Sequence, residues 1–375
     1  MQFLFFIMLL IAGRIWADSL PAAASGPQRV LRLEPSSGNP RNSEGAFIRL
    51  ADGRILFIYT RFTGGSGDHA AADLAGRFSS DDGKTWTTND VVIVRNEGGL
   101  NVMSVSLLRL RDGRIALFYL CKHSLTDCRP LMRVSTDEAK TWSAATTCID
   151  DVVGYYVLNN DRAVQLKSGR LVLPVALHQT STQEKFDPRA LIMCYFSDDN
   201  GKSWCRSTTA QKAKSSEGKE VTLQEPGVVE LKDGRLMMFC RTDAGMQFIS
   251  FSADGGDTWS GFKASNIVSP LSPASIKRIP KTGDLLLVWN NSYDSKSKTG
   301  GNRTPFNVAI SQDEGETWRN VRTIEADADG WYCYTAIEFV GDFVLLGHCA
   351  GNRKDGDGLG VTQITRFPVE WLYSK

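Results

Sequence analysis

The sequence has few histidines and almost equal numbers of basic and acidic residues. Only 4 of its 375 residues are histidine, and neither a C-x-x-C pair nor a metal-ligand spacing occurs. The 43 Lys and Arg residues nearly balance the 42 Asp and Glu residues. Binding to nucleic acid or to a membrane surface favours clustered basic charge. We therefore expect no metal, no cofactor and no nucleic-acid partner, and recognition of any anion by a few placed side chains.

Long apolar runs are lacking beyond the N-terminus. The stretch Phe3–Ala12 is too short to span a bilayer comfortably and is followed by small residues suited to cleavage. We expect residues 1–24 to be an export signal. The remaining chain, 25–375, would then be a single domain in the extracellular space, the periplasm or an organelle lumen, without membrane insertion.

Eight cysteines, an even number, occur in this chain that we expect to reach an oxidising compartment. Cys194 and Cys205 flank one tight hairpin and could face each other on paired strands. The alternative is eight free thiols, most of them buried. The sequence leaves both possibilities open.

An eight-residue motif with the form S-x-D-x-G-x-x-W is repeated along the chain. Its five copies start 56, 62, 55 and 59 residues apart, at Ser79, Ser135, Ser197, Ser252 and Ser311. In such a motif the Asp accepts backbone N–H bonds inside a tight turn, the Gly takes a positive φ and the Trp covers a core. We therefore expect the five aspartates to be structural groups at hairpin tips, without a catalytic role.

A second pattern, a Gly turn followed by an apolar strand, runs in step with the first. Its six copies begin at Ala51, Arg111, Lys167, Lys232, Lys281 and Val340. A unit of roughly 57 residues with about four short strands is typical of a propeller blade. The sequence therefore predicts an all-β, six-bladed β-propeller with the motif on its hairpins. Because 29–35 alternates well, we expect it to close the ring by pairing near 360–367.

The five octets resemble the Asp boxes, or BNR repeats, of the sialidase (neuraminidase) superfamily along essentially the whole chain after the signal. The resemblance implies a retaining exo-glycosidase that removes a terminal sialic acid, or a close acidic sugar, from glycans. Such an enzyme uses arginines for the sugar carboxylate, a carboxylic acid for the leaving oxygen, and a tyrosine nucleophile activated by a glutamate. A glycosidase or lyase for another acidic sugar and a non-catalytic carbohydrate-binding propeller remain as alternatives.

Three residues match the catalytic parts that the resemblance implies. Asp68, in a Gly-rich loop before the first octet, is the expected acid/base, with Asp73 as the alternative. Glu225, directly before Pro-Gly, is the expected activator. Tyr334 matches the nucleophile, whereas Tyr332 lies two residues earlier on the same strand face.

The resemblance also assigns arginines to the sugar carboxylate. Arg241 ends the strand pair that begins with the activating glutamate, and Arg303 precedes the last octet. Both are expected to grip the carboxylate. Arg61, at the end of a first-unit strand, is expected to line the pocket as well.

One element of the family pattern is missing, namely the aromatic-Arg-Ile-Pro motif that supplies the first arginine. The matching stretch reads RNSEGAFIR, with Glu44 near the expected place and with Arg41 and Arg49 outside the motif. We expect Arg162 to complete the anion clamp, although Asp161-Arg162 is alternatively a structural ion pair. Glu44 is expected to face a hydroxyl or amide of the substrate.

Overall fold

The computed structural model describes residues 26–356 and 358–374, and its regular structure is almost entirely strand. The all-β prediction is confirmed. The export signal predicted for residues 1–24 lies outside the described residues. Within the described ranges no helix is long and apolar enough to cross a membrane.

The strands follow one another along the chain with two single-turn 3₁₀ helices near its end. In chain order they are β1 (Gln28–Leu33), β2 (Arg41–Arg49), β3 (Ile55–Phe62), β4 (Ala72–Ser79), β5 (Val91–Val94), β6 (Asn101–Arg109), β7 (Ile115–Lys122), β8 (Cys128–Ser135), β9 (Thr146–Thr147), β10 (Gly154–Val157), β11 (Val164–Gln165), β12 (Leu171–Thr180), β13 (Leu191–Ser197), β14 (Cys205–Arg206), β15 (Leu223–Glu230), β16 (Leu236–Thr242), β17 (Met246–Ser252), β18 (Lys263–Val268), β19 (Ser275–Arg278), β20 (Leu285–Trp289), β21 (Phe306–Ser311), β22 (Arg319–Glu325), β23 (Gly330–Val340), β24 (Phe343–Asn352) and β25 (Thr362–Pro368), and the 3₁₀ helices are Arg353–Asp355 and Val369–Leu372.

These strands form five hydrogen-bonded sheets in the described part of the chain. Four sheets have four strands each: β2-β3-β4-β5, β15-β16-β17-β18, β19-β20-β21-β22 and β1-β25-β24-β23. The fifth has nine strands and runs β14-β13-β12-β10-β8-β7-β6, with β9 and β11 beside it. Within it a single parallel bridge, Tyr155 to Cys128, joins β10 to β8. The count of six blades therefore stays a prediction.

The strand predicted to close the ring pairs where we expected it. Strand β1 runs antiparallel to β25, from Gln28 opposite Arg366 to Leu33 opposite Thr362. The first described strand thus completes the sheet formed by the last three, and this part of the prediction is confirmed. The pairing covers an edge of β25 that would otherwise offer free backbone groups to another chain.

The repeated octet forms tight hairpin turns. In the second copy, Asp137 accepts hydrogen bonds from the backbone N–H and the hydroxyl of Thr141, at 2.9 and 2.6 Å. Ser135 Oγ accepts from the N–H of Ala139 at 2.9 Å, and Ala139 keeps the positive φ (62°) that Gly has in the other copies. The carboxylate of Asp137 is occupied by its own turn, which is a structural role.

Four strands share an unusual backbone feature. Strands β2, β6, β15 and β23 each shift register against their neighbour. At these bulges a non-glycine residue adopts left-handed φ values of 55°, 59°, 52° and 55°, namely Glu44, Ser104, Glu225 and Tyr334. Such a conformation is strained for a residue with a Cβ, and a bulge re-aims the side chain that it carries.

All eight cysteines are free thiols, and seven of them are buried. Cys205 is exposed and pairs with Phe196, whereas Cys194 is buried and its carbonyl accepts from the N–H of Ser207. Of the two possibilities that the sequence leaves open, the structure therefore shows the free thiols, and the hairpin register offsets Cys194 and Cys205 by two residues.

Candidate active site

The left-handed bulge residues meet around one cavity. Its walls include Glu44, Ser104, Glu225 and Tyr334, and the β3–β4 loop adds Asp68. The backbone there is tied together across the strands. Asn160 Nδ2 donates to the carbonyl of Gly45 at 2.8 Å and to that of Tyr334 at 3.0 Å. The structure therefore brings the three predicted catalytic residues to one place.

Tyr334 and Glu225 face each other directly. The phenol of Tyr334 donates to Oε1 of Glu225 at 3.4 Å. Burial and then the Glu225 charge raise the pKa of Tyr334, whereas the nearby cations Arg303 and Arg241 lower it. The phenol thus stays protonated at rest and has a carboxylate positioned to take its proton when it reacts.

Glu225 is held by its neighbours in a fixed orientation. Nη1 of Arg241 lies 3.0 Å from Oε2 of Glu225, and Asn159 Nδ2 donates to the same oxygen at 3.5 Å. Nε and Nη2 of Arg241 both donate to Oε1 of Gln224, at 3.0 and 2.6 Å. This fork fixes the plane of the guanidinium and places its Nη1 beside Glu225.

Arg303 approaches the tyrosine from another side. Its guanidinium carbon lies 5.3 Å from the centre of the Tyr334 ring and 5.1 Å from that of Trp331. The N–H of Tyr332 donates to the carbonyl of Arg303 at 2.9 Å and anchors the loop. Nη1 of Arg303 has no hydrogen-bond partner in the described residues. A cation with an unfilled donor next to Tyr334 is suited to bind an anion.

Arg41, on β2, contacts two of the carboxyl groups that line the cavity. Its Nη1 lies 2.6 Å from Oδ1 of Asp68, and its Nη2 lies 3.3 Å from Oε1 of Glu44. The side chain is 2% exposed, and its guanidinium covers the ring of Phe62 at 4.4 Å. Sequence reasoning passed over Arg41 because the residues that follow it do not match the family motif.

The loop that carries Asp68 is fastened to the neighbouring unit. Lys122 Nζ donates to the backbone carbonyl of Asp68 at 2.6 Å, and Asn101 Nδ2 donates to the same carbonyl at 3.0 Å. Burial acts to raise the pKa of Asp68, but the charge and the hydrogen bond of Arg41, together with Lys122, lower it overall. In the unliganded protein Asp68 is therefore a carboxylate paired with Arg41.

Arg61 and Asp73 are engaged with each other and with neighbours. Nη2 of Arg61 lies 3.4 Å from Asp73, and Nη1 lies 3.3 Å from Asp90. Asp73 also accepts from the N–H of Asn96 at 2.8 Å. Neither residue lines the cavity of Tyr334. The geometry thus favours Asp68 over Asp73 as the acid and gives Arg61 no contact with the other predicted site residues.

Arg162 does not join the predicted arginines. Its guanidinium donates to the carbonyl of Ala274 at 2.6 Å and to the hydroxyl of Ser275 at 3.2 Å. It forms no ion pair with Asp161, whose carboxylate accepts from the N–H of Ile337 at 3.0 Å. The left-handed φ of 56° at Asp161 contributes to this direction, since it turns the chain just before Arg162.

Glu44 places a third carboxyl group in the cavity. The hydroxyl of Ser104 donates to its Oε2, and Arg41 lies beside its Oε1. Burial is the main cause that raises the pKa of Glu44, and the charges of Asp68 and Glu225 add to it, so that the pKa is raised although Arg41 and the Ser104 hydrogen bond lower it. A carboxyl group with a raised pKa can hold a proton and form a hydrogen bond with Ser104 or with a polar group of a ligand.

Comparison with known proteins identifies relatives of this chain. The BNR repeat-like domain family matches residues 57–345, which is more than half of the chain. A sialidase of Clostridium perfringens is 26% identical over 58% of this chain and 60% of its own length. A sialidase of Vibrio cholerae is 33% identical over 34% of this chain and 19% of its own length. This chain thus spans less than two thirds of either relative.

Solved structures share the fold. The intramolecular trans-sialidase from Ruminococcus gnavus, solved in complex with oseltamivir carboxylate, superposes with a TM-score of 0.70 over 94% of this chain and 99% of its own. The two chains are 14% identical. At that identity the likeness describes the fold and not the activity.

Proposed function

This chain belongs to the BNR repeat-like domain family of the sialidase superfamily, and we propose that it is a retaining exo-glycosidase that removes a terminal sialic acid, or a close acidic sugar, from glycans. The observation that carries the proposal is the contact of Tyr334 with Glu225 in the cavity that Asp68 also lines. This set provides a neutral nucleophile, its base and a separate acid.

In the first step the sugar carboxylate would lie among Arg41, Arg241 and Arg303. The phenol oxygen of Tyr334 attacks the anomeric carbon while Glu225 takes the phenol proton. The bond to the leaving oxygen breaks, and Asp68 protonates that oxygen. A neutral tyrosine suits this reaction because a carboxylate nucleophile would be repelled by the carboxylate on the anomeric carbon.

In the second step water replaces tyrosine on the sugar. Asp68, now deprotonated, removes a proton from the water, whose oxygen attacks the anomeric carbon. The bond to Tyr334 breaks, and the phenolate recovers its proton from Glu225. Two successive displacements at the same carbon leave its configuration unchanged, which is why the enzyme would be a retaining one.

The ion pair between Arg41 and Asp68 links binding to protonation. At rest the charge of Arg41 lowers the pKa of Asp68 and keeps it ionised. A substrate carboxylate beside Arg41 would offset that positive charge and add a negative charge near Asp68. Both effects raise the pKa of Asp68, so that binding an acidic sugar would itself produce the protonated acid that the first step needs.

The arginines distinguish this proposal from its alternatives. A non-catalytic propeller has no need for an acid, a base and a tyrosine to line one cavity. With Arg41 beside Asp68, the missing first arginine no longer favours a different acidic sugar. We also propose that 25–375 form one six-bladed propeller, which the six Gly-turn repeats and the β1–β25 pairing support. The short apolar stretch Phe3–Ala12 supports the proposal that 1–24 are an export signal.

The test is an assay of the purified protein with a fluorogenic α-sialoside beside a panel of fluorogenic uronides. We expect release of the fluorophore from the sialoside, and proton NMR should show the α-anomer of free sialic acid as the first product. Turnover of a uronide with an inert sialoside would instead favour the alternative acidic sugar. Inertness toward both classes would favour a carbohydrate-binding protein.

A further inference from the structure

A second cavity, of about 320 Å³, lies farther along the strands that carry the candidate site. On β15 the site contains Glu225, whereas this cavity is lined by residues 228–230. On β23 the corresponding residues are Tyr334 and Ile337. At about 3.3 Å per residue, three residues of strand separate the two places by roughly 10 Å. We call this space the lower cavity, and it shares no lining residue with the candidate site.

The walls of the lower cavity are largely apolar. Side chains from several different strands and loops form them, including Leu108, Val164, Val229, Phe239, Ile276 and Ile337. A volume of about 320 Å³ lies at the lower end of the range for small-molecule sites. The remaining lining is polar or charged and includes Asp161, Gln165, Lys167 and Glu230.

One buried cation at this cavity has no anion beside it. Arg162 is 4% exposed, and its hydrogen bonds go to two neutral oxygens, those of Ala274 and Ser275. No carboxylate lies within ion-pair distance of its guanidinium among the residues that the structure describes. Its Nε is buried without a partner. A buried charge left unpaired is costly, and an anionic ligand would offset that cost.

The other cations that line the cavity are either paired with carboxylates, as are Lys277 and Arg278, or exposed to solvent, as is Lys167. Nζ of Lys277 lies 3.7 Å from Asp161 and 3.9 Å from Glu338. Arg278 donates to both carboxylate oxygens of Glu314, at 2.9 and 2.6 Å. An added anion would therefore find its unmet partner in Arg162. One guanidinium balances one negative charge.

We propose that the lower cavity binds a small monocarboxylate with an apolar body, whose carboxylate pairs with Arg162 and whose hydrocarbon part lies against the apolar walls. This site is separate from the glycosidase site and does not depend on the proposed function. It assigns a role to an arginine that the sequence singled out and that the candidate active site does not use.

Titration calorimetry on the full protein with three probes tests the proposal. Octanoate carries both the charge and the apolar body, octanol lacks the charge, and acetate lacks the body. We expect saturable one-site binding of octanoate. Octanol should bind at least about tenfold more weakly, the smaller end of the loss for a charge-assisted pair. Acetate should also bind at least about tenfold more weakly, because it lacks the methylene groups whose burial contributes about 0.8 kcal/mol each. Equal binding of octanoate and octanol, or no saturable octanoate binding, would overturn the proposal.

Variants locate the site. Arg162→Leu should lose octanoate binding, and Arg162→Lys should retain part of it. Because Arg162 also bonds to the backbone of Ala274, the Leu variant is checked by thermal unfolding. If the Leu variant does not fold, Val229→Phe is used in its place, because it fills the cavity and keeps the arginine. Val229→Phe should also abolish octanoate binding. Octanoate that still binds to Val229→Phe, or that competes with a sialoside at the other site, would overturn the proposal.

Discussion

The phenol oxygen of Tyr334 lies 3.4 Å from Oε1 of Glu225, although the two residues are 109 positions apart in the chain. Both occupy left-handed bulge positions, with φ of 55° and 52°, at corresponding places on β23 and β15. A strained backbone thus directs both reacting side chains into one cavity. Strain of this kind, of about 1–3 kcal/mol per residue, occurs most often at functional sites.

Replacing Tyr334 with Phe should lower kcat on a sialoside by several orders of magnitude. The substitution removes only the oxygen that attacks the anomeric carbon, and the other tyrosine of the cavity, Tyr155, lacks the contact with Glu225 that Tyr334 makes. Steady-state kinetics on a fluorogenic sialoside measures the effect, and circular dichroism checks the fold.

The matched control is Tyr332→Phe. The ring of Tyr332 is buried and stacks on Phe306 with centroids 5.8 Å apart, so losing its hydroxyl should leave kcat within a few-fold. A large loss from Tyr332→Phe with a mild effect from Tyr334→Phe would mean that the other tyrosine is the nucleophile.

Arg41→Lys should raise KM for a sialoside by roughly one to two powers of ten, since a charge-assisted pair contributes about 1.5–3 kcal/mol and lysine lacks the planar fork. Arg162→Lys serves as the comparison and should leave KM unchanged, because Arg162 contacts Ala274 and Ser275 instead. A raised KM for Arg162→Lys with an unchanged KM for Arg41→Lys would mean that Arg162, and not Arg41, binds the sugar carboxylate.

Asp137→Ala should lower the melting temperature and leave kcat/KM unaltered. Both carboxylate oxygens of Asp137 bond to Thr141 within its own hairpin turn. Differential scanning calorimetry and the sialoside assay measure the two quantities on the same preparation. A fall in kcat/KM without a change in melting temperature would contradict the structural role of the octets.

The buried His348 predicts a loss of stability in acid. Its Nδ1–H donates to the carbonyl of Cys349, its Nε2 accepts from Thr365, and burial lowers its pKa to about 4. The unfolded chain binds the proton near pH 6.5, so stability is complete above that pH and falls as the pH drops toward 4. At pH 5 the cost is about 2 kcal/mol.

Urea unfolding at pH 7 and pH 5 tests this prediction. The wild type should lose about 2 kcal/mol more than His348→Gln between the two pH values. The buried His178, whose pKa is also lowered to about 4, stays in both proteins and cancels in the comparison. Equal losses in the two proteins would show that His348 does not bind the proton differently on unfolding.

The fold was largely predictable from the sequence because its units repeat. The octets have a local cause, a turn with its own Asp and Ser partners. The closing strand is visible because 29–35 alternates and would leave an edge open without a partner. The register of a short hairpin is less visible, and for that reason the sequence leaves open whether Cys194 and Cys205 face each other.

The candidate site was predictable wherever its residues stand in a local motif. Asp68, Glu225 and Tyr334 were chosen in this way and lie at one cavity. Arg41 does not stand in the aromatic-Arg-Ile-Pro motif, so the sequence does not assign it to the site. The sequence favours Arg162 instead. The direction of the Arg162 side chain, however, depends on the left-handed backbone conformation of Asp161, which the residue types do not specify.

Other members of the site come from distant parts of the chain without any motif. Lys122 and Asn101 hold the loop of Asp68 from the neighbouring unit, and Asn159 reaches Glu225 from a third one. Each is an ordinary polar residue: Asn101 begins β6, Lys122 ends β7, and Asn159 lies in the loop after β10. Their role follows only from how the units pack around the cavity, which the sequence of a single unit does not contain.

The most direct measurement of the central claim is covalent trapping with 2,3-difluorosialic acid. Fluoride at the anomeric carbon leaves readily, and the second fluorine slows hydrolysis of the sugar–enzyme bond, so the intermediate should accumulate. Mass spectrometry of the intact protein should show one added sugar, mapped by digestion to the peptide that contains Tyr334, and Tyr334→Phe should show none. A wild-type protein that turns over a sialoside yet carries the sugar elsewhere, or never carries it, would contradict the account.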